Sequence, residues 1–319
     1  MKNWTKPLIG IVSPCYNEEA VLKETSEQLH VLLEQLIAND KISDESFIAF
    51  VDDGSRDATW SIIEELSRQK KHIKGLKLAG NVGHQNALLA GLLSFNDEAD
   101  ALISIDADLQ DDISVIADMI EKFKSGTDTV YGVRNKRETD TFFKKNTALM
   151  FYYIMKKMKV NVLHNHADYR LCSHRVIAAL SGYNEVNLFL RGIIPSIGFR
   201  SDVVYYDRLE RFAGESKYPL KKMLSFAWNG ITSFSTFPLK LVTGIGFVIF
   251  FVCLLMSAYA LVSLFNGTNV PGWVSTVLPM YFLGGVQLFC FGIVGEYVGK
   301  IYSEVKQRPR YIIEKRLDS

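Results

Sequence analysis

Over residues 1–135 short apolar runs alternate with longer amphipathic stretches. The runs at 8–13, 47–51, 73–78, 101–105 and 129–131 have the length and β-branched content of strands. The stretches 18–38, 58–69, 85–95 and 113–124 carry apolar positions at helical spacing, and Asp57 stands where an N-cap of the second would be. Strands alternating with helices predict an α/β fold: a doubly wound, largely parallel sheet with helices on both faces. Ligands of such sheets bind beyond the carboxyl ends of the strands, so the residues just after each run carry the chemistry.

A second pattern takes over downstream. From 241 to 295 there is no Asp, Glu, Lys or Arg. As helix, 241–265 is long enough to cross a hydrocarbon core of about 30 Å, and 274–295 supplies another span. Between them Gly267, Pro271 and Gly272 suit a turn, and Trp273 suits a membrane interface. Lys217, Lys221, Lys222 and Lys240 precede the spans, and Lys300, Lys306, Arg308, Arg310, Lys315 and Arg316 follow them. Basic residues on both flanks predict a multi-pass hairpin with both flanks and both termini on the cytoplasmic side of the cell membrane. Within 219–237, Leu220, Leu224, Phe226 and Ile231 alternate with Lys221 and Lys222, the pattern of a helix lying in the interface; an ordinary packed helix gives the same pattern. The predicted organisation is a cytoplasmic domain 1–218, an interfacial segment 219–240, a two-helix hairpin 241–299 and a basic tail 300–319.

Composition narrows the function. A formal net charge of +1 on 319 residues lacks the basic excess of a nucleic-acid binder. The apolar run 8–12 is too short for the core of a signal peptide. Cys15, Cys172, Cys253 and Cys290 occur singly, with no pair at metal or redox spacing, which predicts reduced structural thiols.

The strand ends are acidic: Pro14-Cys15-Tyr16-Asn17-Glu18-Glu19 after the first, Asp52-Asp53-Gly54-Ser55 after the second, Asp106-Ala107-Asp108-Leu109-Gln110 after the fourth. Carboxylates from three strand ends in one crevice repel unless a cation neutralises them. Asp106 and Asp108, one residue apart, offer hard oxygens suited to Mg²⁺ or Mn²⁺ on phosphate, and Gln110 could add an amide oxygen. Of the two neighbouring aspartates, Asp53 is expected to meet a ligand and Asp52 to cap or solvate the turn. His164 and His166 have metal-pair spacing but no third ligand.

In this order and spacing PCYNEE (14–19), VDDGS (51–55), NVGHQNALLAG (81–91) and DADLQD (106–111) resemble family 2 glycosyltransferases of the GT-A fold. ADYRL (167–171), RFAGESKYP (211–219), GITSFSTFPL (230–239) and GEYVGKIYSEVKQRP (295–309) narrow the resemblance to bacterial polyprenyl-phosphate glycosyltransferases, bactoprenol glucosyltransferase-like and related to dolichol-phosphate mannose synthase. That resemblance implies a UDP-sugar donor, glucose above N-acetylglucosamine or a GDP-mannose donor, and a polyprenyl phosphate acceptor at the lipid bilayer. It implies that Pro14, Tyr16, Asn17, Glu18 and Asp53, with Asp106, Ala107 and Asp108, bind the nucleotide sugar. Asp106, Asp108 and Gln110 would hold Mg²⁺ or Mn²⁺, and Asp168 would be the catalytic carboxylate. Arg134, Arg211 and Lys217 would meet the acceptor phosphate. His84, Ala167 and Asp112 depart from residues frequent in relatives (Lys, Gly and Pro), which bears on the sugar transferred.

The implied chemistry is self-consistent. A phosphate monoester with second pKa near 6 is largely ionised at neutral pH, so Asp168 is expected to position or polarise before it accepts a proton. No covalent nucleophile is needed, which predicts direct displacement with inversion. A processive polysaccharide synthase is disfavoured because the chain has no Gln-x-x-Arg-Trp motif, and the three acidic strand ends argue against a non-catalytic scaffold. Gln287 inside the second span suits function or helix packing alike, and Gly295 and Gly299 permit close helix approach, so a homo-oligomer such as a tetramer is expected.

Overall fold

The run IGIVSPC forms β1 (Ile9–Cys15), buried at every position, as a strand covered on both faces must be. The computed structural model describes residues 5–135, 166–186, 188–207, 237–266 and 272–318. After β1 come α1 (Leu22–Ala38), β2 (Phe47–Asp52), α2 (Thr59–Gln69), β3 (Ile73–Leu78), α3 (His84–Phe95), β4 (Ala101–Ser104), α4 (Ile116–Lys124) and β5 (Thr129–Arg134). Helix α1 starts at Leu22, later than the predicted 18, because the polar residues after β1 form a turn. The predicted 113–124 helix opens as a 3₁₀ turn, Ile113–Val115, in which the Asp112 side chain accepts from the Ser114 N–H.

Four further elements of this domain, which the sequence pattern did not disclose, are β6 (His166–Ser173), α5 (His174–Leu180), α6 (Leu190–Ser196) and β7 (Ser201–Tyr206). The sheet has the order β7-β5-β6-β4-β1-β2-β3-β8. Its centre, β4-β1-β2-β3, is parallel as predicted. β6 runs antiparallel to both β4 and β5, so the sheet is mixed and GT-A-like rather than parallel throughout. The order reverses between β1 and β4, where the connections leave in opposite directions and open a crevice. α1 and α4 pack Leu29, Leu33, Ile116 and Ile120 on one face against Ile11, Phe50 and Ile103. On the other face α3 crosses closely at Gly91, where a Cβ would lie 2.5 Å from Val12 Cγ1 and 2.6 Å from Val51 Cγ2.

The last strand, β8 (Ile313–Leu317), pairs antiparallel with β3, Gly75 opposite Leu317 and Lys77 opposite Lys315. It comes from the stretch predicted as a basic tail. Its charges are matched: Lys315 Nζ lies 2.6 Å from Glu64, and Glu314 accepts from Lys77 Nζ at 2.9 Å. The chain accordingly divides into two compact units, Met1–Tyr218 with Arg308–Ser319, and Pro219–Gln307.

In the second unit α7 (Phe237–Phe265) and α8 (Trp273–Val305) are long and apolar enough to cross a membrane. Their large apolar side chains face outward: Leu255 is 68% exposed, Phe291 71% and Leu288 74%. A soluble protein rarely leaves so continuous an apolar surface uncovered, whereas lipid covers it at no cost. α8 runs on past the predicted end at 295: 296–305 holds no proline to stop it, and Glu296 and Lys300 pair at i,i+4, 3.9 Å apart.

Candidate active site

The loops after β1 and β2 are laced together by side-chain-to-backbone hydrogen bonds. Asn17, at φ 55°, occupies the left-handed region that Asn tolerates. Its Oδ1 accepts from the Arg56 N–H at 2.9 Å, and its own N–H donates to Ser55 Oγ at 3.0 Å. The Glu18 N–H donates to Thr59 Oγ1 at 2.9 Å. The lacing leaves Tyr16 42% exposed at the crevice rim, while Pro14 is buried in the strand below.

Asp52 and Asp53 are both buried. Asp52 Oδ1 accepts from the Ser55 N–H at 3.2 Å, so it caps the turn as expected, but it is not solvated. Asp53 takes the Val82 N–H on Oδ1 at 2.7 Å and the Gly83 N–H on Oδ2 at 3.0 Å. Gly83 has φ 87°, so the lead into α3 needs glycine there. Burial raises the Asp53 carboxyl above the usual range, and the two backbone donors oppose that rise. Asp53 thus fixes the start of α3 and His84.

Beyond β4, Asp106 and Asp108 face the crevice and Ala107 points into the core. The Ala107 carbonyl accepts from Thr25 Oγ1 of α1 at 2.7 Å, so Ala107 spaces and anchors the two aspartates. Leu109, at φ 55°, sits where a branched side chain costs about 1–2 kcal/mol. This strained residue turns the chain so that the Gln110 N–H donates to Asp108 Oδ1 at 3.3 Å; Gln110 itself is buried. Burial pushes the Asp106 carboxyl up to about 6; His84 opposes the rise, and Asp168, Asp111 and Asp108 add to it.

Asp168 reaches this place through strand register. β6 pairs antiparallel with β4, Ser104 opposite Arg170, and Ser104 Oγ donates to the Asp168 carbonyl at 2.5 Å, so the Asp168 side chain arrives across from Asp106. Arg191 of α6 holds it at two points, Nε to Oδ1 at 3.2 Å and Nη2 to Oδ2 at 2.9 Å, and Arg170 Nη2 also donates to Oδ1. His84 Nε2 lies 3.4 Å from Asp106 Oδ1 and 3.8 Å from Asp168 Oδ2. Burial works against ionisation of Asp168, but Arg191, Arg170 and His84 outweigh it and hold the carboxyl well below the usual range. Arg134, at the end of β5, donates to Asp111 at 3.1 Å and to the Tyr206 hydroxyl at 3.2 Å.

The fold therefore brings Asp106 and Asp168 to His84, with Asp108 a neighbour of Asp106. It sets Asp53 beside them through the start of α3, and Tyr16, Asn17 and Glu18 at the neighbouring loop. Arg211, Lys217 and His164 lie outside the described residues. Among the described residues no three His, Cys, Asp or Glu side chains form a closed metal cage. Two carboxylates open to a crevice fit Mg²⁺ or Mn²⁺ in another way, since such ions take one or two carboxylates and complete their shell with substrate phosphate and water. Burial first, and the neighbouring carboxylates second, disfavour ionised Asp106, and a cation would offset both. Cys15 and Cys172 are buried free thiols whose ionisation burial suppresses, as expected of structural cysteines.

The model of "Glycosyl transferase family 2" matches residues 10–180, which hold the elements of this crevice except α6 and β7. The chain belongs to that family and is a glycosyltransferase. A second model, the GtrB C-terminal hairpin, matches residues 237–301. The chain is 54% identical to an uncharacterized glycosyltransferase, YkoT, of Bacillus subtilis (strain 168), covering 97% of this chain and 92% of that one. It is 41% identical to the SfII prophage-derived bactoprenol glucosyl transferase of Shigella flexneri, covering 96% and 97%. It also aligns with the crystal structure of mannosyl-3-phosphoglycerate synthase from Rubrobacter xylanophilus, at TM-score 0.48 and 13% identity over 70% and 71% of the two chains, a likeness too distant to inform function.

Sequence reading missed Arg170 and Arg191 as partners of Asp168. Arg170 stood inside the ADYRL motif, two residues away and so on the same strand face as Asp168, a signal that could have found it. Arg191 carried none, since only the docking of α6 brings it near.

Proposed function

We propose that this glycosyltransferase moves glucose from UDP-glucose to a polyprenyl phosphate at the cytoplasmic face of the membrane, with inversion at the sugar. The observation that carries this reading is the meeting of Asp106, Asp108 and Asp168 in one crevice, in a chain that also bears two membrane-length helices. The relatives named bactoprenol glucosyl transferases, similar along nearly their whole length, support the choice of sugar and acceptor.

In this scheme Pro14, Tyr16, Asn17, Glu18 and Asp53 shape the nucleotide end of the crevice. Asp106 and Asp108, with Gln110 beside them, would hold Mg²⁺ or Mn²⁺, which neutralises the charge developing on the departing diphosphate. An acceptor phosphate oxygen forms the new bond to C1 of the sugar as the bond from C1 to the diphosphate oxygen breaks, and the electron pair leaves with UDP. Arg134, Arg211 and Lys217 stabilise the acceptor phosphate, and Asp168 positions or polarises without taking a proton from a dianion. α7 and α8 span the bilayer with both ends cytoplasmic, the side whose leaflet holds the acceptor headgroup; the small residues Gly295 and Gly299, which leave room for another helix, support a homo-oligomer.

The test is to incubate the full chain, in lipid nanodiscs containing polyprenyl phosphate, with labelled UDP-glucose, UDP-N-acetylglucosamine or GDP-mannose. UDP-glucose with Mg²⁺ or Mn²⁺ is expected to label the lipid, and chelation to stop it. Asp108→Asn is expected to lower transfer at least about a hundredfold with the fold intact by circular dichroism. Undiminished transfer by Asp108→Asn would remove the metal assignment, and labelling by another donor would change the sugar.

A further inference from the structure

Asp168 is the carboxylate that sequence reasoning nominates for catalysis, yet its oxygens are already engaged. Oδ1 accepts from Arg191 Nε and Arg170 Nη2, and Oδ2 from Arg191 Nη2. The two arginines differ in access. The Arg170 side chain is 1% exposed and its Nη1 donates to the Leu190 carbonyl at 3.3 Å, so it braces the start of α6 from below. The Arg191 side chain is 37% exposed. A second brace, Gln85 Oε1 accepting from the Leu190 N–H at 2.9 Å, ties the same turn of α6 to the start of α3, one residue from His84. The result is a row, Asp106–His84–Asp168–Arg191, running from the carboxylates of the donor side to the partly exposed guanidinium of Arg191.

Charge decides what the end of that row receives. Two guanidiniums, of Arg170 and Arg191, meet on the single carboxylate of Asp168. Arg134, another arginine of the crevice among the described residues, is held by Asp111, 1% exposed, and by Tyr206, so its charge is shared where that of Arg191 is aimed outward. A phosphate dianion approaching carboxylates at 106, 108 and 168 needs a net cation at the place of attack. The rigid guanidinium plane, fixed along one edge by its carboxylate, suits two phosphate oxygens as an ammonium does not.

We propose that Arg191 binds the acceptor phosphate, and that Asp168 is a positioning residue that acts in transfer by orienting Arg191 and not as a proton acceptor. This rests on the polyprenyl-phosphate reading above and deepens its acceptor side. No base enters the step: the phosphate dianion supplies the electron pair for the new C1–O bond, and the pair of the broken C1–O bond departs on UDP.

The test uses the full chain in nanodiscs, with wild type, Arg191→Ala, Arg191→Lys, Asp168→Asn and the Arg191→Ala/Asp168→Asn double variant. Polyprenyl phosphate is varied at saturating UDP-glucose, and Mn²⁺-dependent UDP binding is titrated separately as the check on fold and donor site. Arg191→Ala is expected to lower kcat/KM for the lipid phosphate about a hundredfold while UDP affinity stays within about threefold. Arg191→Lys is expected to recover about tenfold of that loss through its charge alone. Asp168→Asn should show the same split, and the double variant should be no worse than Arg191→Ala by more than about threefold, because both changes remove one function. The proposal is overturned by an Arg191→Ala enzyme that uses the lipid phosphate as well as wild type does. It is overturned equally by a double variant losing the product of the single effects, or by matching losses in UDP binding. A wild-type chain that binds UDP and Mn²⁺ yet glycosylates no lipid phosphate from any donor would defeat the functional reading itself, and this inference with it.

Discussion

Asp106 and Asp168 face one another across β4 and β6, yet their carboxyls are shifted in opposite directions. Asp106, raised to about 6, binds its proton more tightly folded than unfolded, so without a cation the folded state loses stability as pH rises from the ordinary carboxylate range through about 6. Asp168, depressed by its arginines, contributes stability that is present above the ordinary carboxylate pKa and is lost as pH falls below it. In chelator these two groups together favour a melting-temperature maximum near pH 4, and Asp106→Asn should lessen the decline toward pH 6, to which buried Asp52 and Asp53 also contribute, while keeping the acid limb; calorimetry from pH 3 to 7 measures both. Asp53 makes a separate prediction. Its two oxygens are the acceptors for the Val82 and Gly83 N–H groups, so Asp53→Ala should cost about 2 kcal/mol or more in unfolding free energy by denaturant titration.

At the scale of elements, the novelty is β8. Five residues, IEKRL, carry too little apolar character to announce a strand, and their burial pattern is almost wholly exposed. Pairing with β3 identifies them, and that pairing depends on Gly75, where a Cβ would meet Ile63 Cγ2 at 2.8 Å and Leu317 Cδ1 at 3.0 Å. Gly75→Val should force β8 off the sheet, leaving β3 as an open edge. Limited trypsin digestion should then cut after Lys306 and Arg310 at least about tenfold faster than in wild type, with a lower melting temperature. The helices were more legible. The 3.6-residue periodicity marked α1 to α4, and their starts moved only where polar residues spent their hydrogen bonds on turns, as at 16–21. β6, α6 and β7 escaped notice because each is short and draws its stability from neighbours distant in sequence.

For the molecule as a whole, the charge-free stretch and its basic flanks predict a hairpin whose turn lies across the membrane from both termini. Asn266→Cys should react with an impermeant maleimide added to intact cells, and Ser303→Cys only after the membrane is permeabilised; the reverse labelling would invert the orientation. The sequence by itself determined whatever depends on near neighbours: the alternation of strand and helix, the two apolar spans, and the acidic turns at 52–53 and 106–108. These follow from periodicity and solvation, which act over a few residues. Tertiary structure alone decided which charges meet. Antiparallel register of β4 with β6 carried Asp168 to Asp106, the docking of α6 on Gln85 and Arg170 carried Arg191 to Asp168, and β8 returned to β3 from beyond the apolar helices. Such meetings depend on packing between segments far apart in the chain, and local pattern carries no record of them.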